Sequence, residues 1–288
     1  MKRISNQDML RFKYLIATGI LSAFPVWAIA SYPVDWGKGF QIAASPTAEK
    51  IHELHHLLLI IIFAIAALVL FLLLYVVFRF NAKRHPVPST VVHNTPLEIV
   101  WTLIPTLIIA VIAVPSFKLL YFMDKTKEAE LTLKITGHQW YWSYEYPDEN
   151  IAFDSYMIAD KDLKPGMRRL LEVDHQVVVP VGANIRLLTT AADVIHSFAV
   201  PSLGVKQDGI PGRLRETWVR INKEGTYYGQ CSEICGINHA FMPIVIKAVS
   251  KERYKVWLEQ AKQKFANADF TQRHFSCLGH TQTISGCG

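Results

Sequence analysis

Two stretches of this chain run without charge for longer than a soluble core helix needs. Leu57 to Phe78 holds 22 residues without Asp, Glu, Lys or Arg, and Ile99 to Phe117 holds 19. Each is long enough to cross a hydrocarbon layer of about 30 Å as a helix. Pro105 and Pro115 interrupt the second run, but membrane helices tolerate proline where neighbours satisfy the freed carbonyl groups. The pair predicts a two-helix transmembrane hairpin, with spans at about 56–80 and 99–121. The link between them carries Arg79, Lys83 and Arg84, which puts it in the cytoplasm and everything after about Tyr121 outside.

The N-terminus supports the same orientation. Lys2, Arg3, Arg11 and Lys13 precede an apolar stretch from Tyr14 that ends in Ala28-Ile29-Ala30. This is the layout of a secretory signal, so residues 1–30 are expected to be cleaved after Ala30. An uncleaved third span is the alternative, disfavoured by Gly19 and Pro25. The net charge of +6 does not point to nucleic acid, because part of the basic excess sits in the signal and the inner loop. Between Gln139 and Asp193, nine acidic residues face five basic ones, a local net of −4. Such an area attracts a basic partner and speeds encounter.

Residues 31–122 thus hold an N-terminal arm and the two spans. After the charged linker Asp124–Glu130 the periodicity changes from helix to strand. Leu131, Leu133 and Ile135 alternate with polar neighbours, and a series from Trp140 to Tyr146 puts Trp140, Trp142, Tyr144 and Tyr146 on one strand face. Further strands are expected at Met167–Val173, Gln176–Pro180, Ile185–Thr190, Thr217–Ile221 and Phe241–Val249. Turns at Pro165-Gly166, Val181-Gly182, Pro211-Gly212 and Glu224-Gly225 separate them. Many short strands between turns predict a small sandwich or barrel. Ser250 is placed to cap a final helix, Lys251–Phe265, whose Tyr254, Trp257, Leu258, Ala261 and Phe265 share one face. The tail 266–288, with Cys277 and Cys287, has no assigned role, and its cysteines could pair or stay free.

The chemistry is concentrated in Cys231-Ser232-Glu233-Ile234-Cys235-Gly236-Ile237-Asn238-His239-Ala240-Phe241-Met242. Two thiols, an imidazole and a thioether in twelve residues, with His196 upstream, read in three ways. A disulfide between Cys231 and Cys235 would be a cramped bridge. Zinc would accept two Cys and two His, but gives Met242 no place. Copper takes thiolate and imidazole, and a weak methionine ligand is a known copper device.

The run Tyr227 to Ile246, YYGQCSEICGINHAFMPIVI, resembles the copper-binding loop of subunit II of the haem–copper cytochrome c oxidases. Gly137-His138-Gln139-Trp140-Tyr141-Trp142-Ser143-Tyr144-Glu145-Tyr146 and Val200-Pro201-Ser202-Leu203-Gly204 resemble the same family, and the likeness runs from about residue 45 to 258. It implies a bacterial aa3-type oxidase in the cell membrane, with an all-β cupredoxin-like Greek-key barrel over 123–265 on the periplasmic side. It also implies a binuclear copper A centre. Cys231 and Cys235 would bridge two ions, His196 and His239 would ligate one each, and Met242 and the carbonyl of Glu233 would be the weak ligands. The Glu233 carboxylate would reach a magnesium ion shared with subunit I. Trp140 would receive electrons from cytochrome c, while Glu145, Asp154, Asp174 and Asp193 would dock that basic protein.

The same resemblance sets Glu98, at the inner edge of the second span, near the mouth of a proton path, where an ordinary interfacial role is the alternative. Electrons would pass to haem in subunit I for oxygen reduction coupled to proton pumping, with subunit III and membrane lipid as further partners and no nucleic acid. A quinol-oxidase subunit would lack the copper ligands, nitrous oxide reductase would need a large catalytic domain, and a copper chaperone would leave Trp140 and Glu98 without work. The chain carries no Cys-x-x-Cys-His, which covalent haem would require. Lys118 reads as snorkelling to the interface, and His52, His55 and His56 as an interfacial cluster.

Overall fold

Apolar side chains that cannot be buried in a small domain must meet something other than water. The computed structural model describes residues 31–124 and 128–265 and gives both uncharged runs the same form. Helix α1 spans Pro46–Arg79 and α2 spans Thr95–Asp124, each outrunning its apolar segment at both ends. Neither buries any of its most apolar window within the chain. Exposed faces of Leu, Ile, Val and Phe on two such helices are stable in lipid. Ser45 caps α1, its hydroxyl accepting from the Ala48 amide at 3.0 Å. The expected signal segment, residues 1–30, and the tail with Cys277 and Cys287 lie outside the described residues.

Among the described residues, the part after the helices forms ten strands in two five-stranded sheets. In chain order β1 is Leu131–His138, β2 Tyr141–Tyr146, β3 Ile151–Ser155, β4 Val177–Pro180 and β5 Ile185–Ala191. They continue as β6 His196–Val200, β7 Val205–Gly209, β8 Arg215–Val219, β9 Gly225–Cys231 and β10 Pro243–Val249. One sheet runs β3-β2-β1-β5-β8 and the other β4-β10-β9-β6-β7. The β1–β5 and β10–β4 pairs are parallel while the other neighbours are antiparallel. This is a cupredoxin-like Greek-key barrel. Alternation makes its core: Leu131, Leu133 and Ile135 of β1 and Ile185 and Leu187 of β5 turn inward, against Phe198, Val200, Ile244 and Ile246 of the facing sheet. Helix α3, Lys251–Phe265, closes one flank with Ala261 buried and Tyr254, Trp257, Leu258 and Phe265 packed on the core.

Three sequence expectations differ from this fold. Met167–Val173 is no strand but a turn segment touching β structure only through a Met157–Val173 bridge; its Arg168 and Glu172 engage side chains instead of a ladder. Trp140 does not share the β2 face with Trp142, Tyr144 and Tyr146. It sits in the two-residue turn before β2, while the other three are buried. Strands β3, β6, β7 and β9 carry polar or glycine residues that mask their period, and were not expected.

The outer ends of both helices are tied to the barrel. The Ser45 hydroxyl donates to the Leu203 carbonyl at 2.6 Å, and the Trp218 indole N–H donates to the Phe122 carbonyl at 3.0 Å. Replacing Leu133 (0% exposed) with Ala should cost about 2–5 kcal/mol. The same change at Leu214 (59% exposed) should stay within about 0.5 kcal/mol. Urea midpoints of the two variants measure the difference.

Candidate metal centre

Register brings the donors together. Strand β6 begins at His196 and β9 ends at Cys231, and Phe198 pairs with Cys231 across the two. Beyond β9 the chain loops through Cys235, makes a short turn at His239–Phe241 and enters β10 just after Met242. Every donor therefore lies at one end of the same sheet.

The Cys231 and Cys235 sulfurs stand 3.9 Å apart, and both are free thiols. That separation is below twice a metal–thiolate bond of about 2.3 Å, so one ion can touch both sulfurs. His196 Nδ1 lies 3.9 Å and the Glu233 carbonyl 3.3 Å from the Cys231 sulfur. Around Cys235, His239 Nδ1 lies at 3.6 Å and the Met242 thioether at 3.5 Å. His196, Cys231 and Cys235 form a buried group whose ligand atoms all lie within 4.8 Å of one another. Met242 is buried too, at 1% exposure, so its sulfur is committed to the site. Soft sulfur and imidazole donors fit copper, and the thioether gives copper an advantage over zinc.

The imidazole is fixed from behind. His196 Nε2 donates to the Asp193 carboxylate at 2.8 Å, which leaves Nδ1 free to act as a ligand. Asp193 also accepts from the amides of Gln139 and Val194, each at 2.6 Å. Burial opposes ionisation of Asp193, but these hydrogen bonds from His196, Val194 and Gln139 hold its carboxyl below the usual range. Burial likewise works against a charged His196, and its bonds to Cys231 and Asp193 raise it above the ordinary imidazole value. Burial also disfavours both thiolates. At Cys231, hydrogen bonding to His196 and to the backbone at Glu233 and Ser197 outweighs it and brings the thiol down. At Cys235, burial and the neighbouring Cys231 charge push the thiol up. A bound cation would favour ionisation of both.

Two glycines make room. A Cβ on Gly137 would lie 2.8 Å from the His196 ring, so only glycine lets β1 pass behind the imidazole. Gly236, at φ 126°, would put a Cβ 2.9 Å from the Trp140 indole. The indole N–H of Trp140 donates to the Cys235 carbonyl at 3.3 Å, as does the side-chain Nε2 of Gln139 at 2.8 Å. Trp140 is thereby a half-buried aromatic hydrogen-bonded to the backbone of a ligand residue. Trp142, two residues further on and inside β2, meets His196 edge-on at 5.9 Å and donates to the Met242 carbonyl at 3.1 Å.

The other candidates are spread over the molecule. Glu145 pairs with Lys134 at 2.9 Å, Asp154 accepts from Ser143 at 2.7 Å, and Asp174 accepts from the Tyr156 amide at 2.8 Å. These three acids lie along the β2–β3 side of the barrel, whereas Asp193 lies against the donor cluster. The Glu233 side chain is exposed while its carbonyl faces sulfur. Glu98 stands in the first turn of α2, where its carboxylate accepts from the Asn94 amide at 3.3 Å. Gly137 and Gln139 stood in the quoted motif without a role; only the contact across sheets gives them one.

Both Gly137→Ala and Asp193→Asn loosen His196 without removing a ligand. Each should lower copper affinity by about 10–100-fold. Competition against a copper chelator reads this directly, and near-unchanged affinity would detach these residues from the centre.

The family model described as cytochrome C oxidase subunit II, periplasmic domain, matches residues 131–249, and that described as its transmembrane domain matches residues 33–119. A Rickettsia bellii protein named probable cytochrome c oxidase subunit 2 is 52% identical over 250 residues, covering 86% of this chain and 93% of its own. Cytochrome c oxidase subunit 2 of Oenothera berteroana is 53% identical over 238 residues, 80% of this chain and 92% of its own. The crystal structure of the periplasmic domain of subunit II of cytochrome oxidase from Bradyrhizobium japonicum is 54% identical, covers 49% of this chain and 99% of its own, and superposes with a TM-score of 0.46. With both of its halves matched and about half of the aligned residues identical in such relatives, this chain is a membrane protein of the cytochrome c oxidase subunit II family.

Proposed function

We propose that this chain is the electron-accepting subunit of a cytochrome c oxidase. It takes electrons from cytochrome c at a binuclear copper A centre and hands them to haem in subunit I, where oxygen is reduced and protons are pumped. The observation that carries this reading is the pair of buried thiols 3.9 Å apart, each flanked by its own imidazole and one further weak donor. Two copper ions held there would share the transferred charge, so that little rearranges on oxidation or reduction.

The residues around the centre support the assignment. Six donors in a closed shell leave no open position of the kind a catalytic metal keeps for substrate. Asp193 holds the ring of His196, and Gly137 lets it in. The Trp140 indole, hydrogen-bonded to the Cys235 carbonyl, offers electrons from outside a short route to a ligand residue. Glu145, Asp154 and Asp174 sustain the negative area that steers a basic cytochrome c, with Asp193 contributing charge at the centre itself. Steering by such groups acts more on rate than on affinity.

The exposed Glu233 carboxylate is assigned to a magnesium ion at the boundary with subunit I, where the remaining oxygen ligands come from that subunit and water. Glu98 is assigned to the mouth of a proton path on the cytoplasmic side, with subunit III completing the assembly in a bacterial inner membrane. The barrel then faces the periplasm, the signal segment is removed after Ala30, and the cytoplasmic loop is the one bearing Arg79, Lys83 and Arg84.

Low-temperature electron paramagnetic resonance on the copper-loaded protein tests the centre. The expected spectrum is split by two equivalent copper nuclei that share one unpaired electron. Splitting by a single nucleus would sink the binuclear reading and leave a mononuclear site. Trp140→Phe is expected to keep that spectrum yet slow electron uptake from cytochrome c. Glu145→Gln with Asp154→Asn should slow association at low salt, an effect that fades as the ionic strength rises.

A further inference from the structure

The two spans leave between them a groove that the metal centre does not use. On α1, Lys50, Glu53, Leu54 and Leu57 line it, and on α2, Pro115, Lys118, Leu119 and Phe122 do. Both sets follow the spacing i, i+3, i+4, i+7, so each helix turns one whole face toward the gap. The groove is open along one side and has a volume of about 370 Å³. It lies at the barrel side of the hairpin, below the ties at Ser45–Leu203 and Trp218–Phe122.

The groove is graded along its length. Lys50 stands beside the outer end, its ammonium 5.0 Å from the centre of the Phe122 ring. Glu53 and Lys118 follow within about a turn, and Leu57 with Pro115 closes the inner end, roughly 10 Å further along α1. Among the described residues, neither Lys50 nor Lys118 is in an ion pair. Two unpaired ammonium groups and one carboxylate leave a net of +1 above an apolar floor, at the depth of the lipid headgroups.

We propose that this groove binds one anionic phospholipid of the outer leaflet, of the phosphatidylglycerol kind. Its phosphodiester lies between Lys50 and Lys118, and an acyl chain lies along Leu54, Leu57 and Leu119. A monoanionic headgroup balances the net +1, and it brings no ammonium to occupy Glu53. A zwitterionic lipid would need Glu53 as a partner; an anionic one is opposed by it. That difference in sign separates the two sources of the same phosphate chemistry. The proposal concerns the membrane-spanning pair, independent of what the copper centre does.

The test uses the purified oxidase assembly with the full chain, in neutral detergent, given equimolar phosphatidylglycerol and phosphatidylethanolamine. Native mass spectrometry counts the lipids retained by the wild type, K50Q/K118Q and E53Q. The double variant should lose one phosphatidylglycerol per assembly, with affinity falling roughly thirtyfold, about fivefold for each lysine. E53Q should hold the same lipid as tightly as the wild type or more so, and the copper spectrum should be unchanged in both. An unchanged phosphatidylglycerol count in K50Q/K118Q would overturn the proposal. So would a phosphatidylethanolamine that is retained by the wild type and lost in E53Q.

Discussion

His196 and Cys231 are 35 residues apart in sequence, yet the centre needs them in contact. The pairing of β6 with β9 provides this: Phe198 faces Cys231 and Ala199 faces Gln230, and the Ser232 amide extends the ladder to the Ser197 carbonyl at 2.9 Å. A slip of one residue would turn every side chain of β6 to the other face, and His196 with them. The aromatic core guards against such a slip. Trp142, Tyr144 and Phe198 stack edge to face between the sheets, and all three are nearly or completely buried. Ligand geometry here is a consequence of β register, which the core holds.

The second constraint is the junction of barrel and membrane. Ser45, Trp218 and Thr217 hold the outer helix ends by hydrogen bonds to Leu203, Phe122 and Met123. These ties run from a side chain to a backbone carbonyl, so they join the helix ends to the barrel whatever side chains surround them. Phe40, from the arm before α1, stacks on His52 at 4.7 Å and meets His55 edge-on. The histidine cluster thus closes the arm against the helix.

The metal loop and both spans were legible because their signals are local. A twelve-residue run holds four of the donor side chains, and a span declares itself by length without charge. The acidic residues were harder. Asp193 reads as a surface charge in sequence, three positions before a histidine. In the fold its carboxylate collects a ring N–H and two amides, and positions the ligand. Trp140 fell into the same trap from the other side: alternation with Trp142 suggested a common face, but the turn between β1 and β2 extends through Trp140, and β2 begins only at Tyr141. Met167–Val173 has strand-like composition, yet Glu172 is spent on Tyr228 and the Arg168 amide.

By itself the sequence determined that this chain has two helices able to span a membrane, carries a β domain and offers soft donors for copper. Each of these follows from the chemistry of neighbouring residues, since hydrophobic length, strand period and sulfur–imidazole spacing need no knowledge of the fold. Tertiary structure alone decided which donors converge, which carboxylate steadies an imidazole and which aromatic reaches the ligand loop. It also decided that Lys50 and Lys118 share a groove. Those are distances between elements remote in sequence, and they exist only after strand register and helix pairing have been chosen.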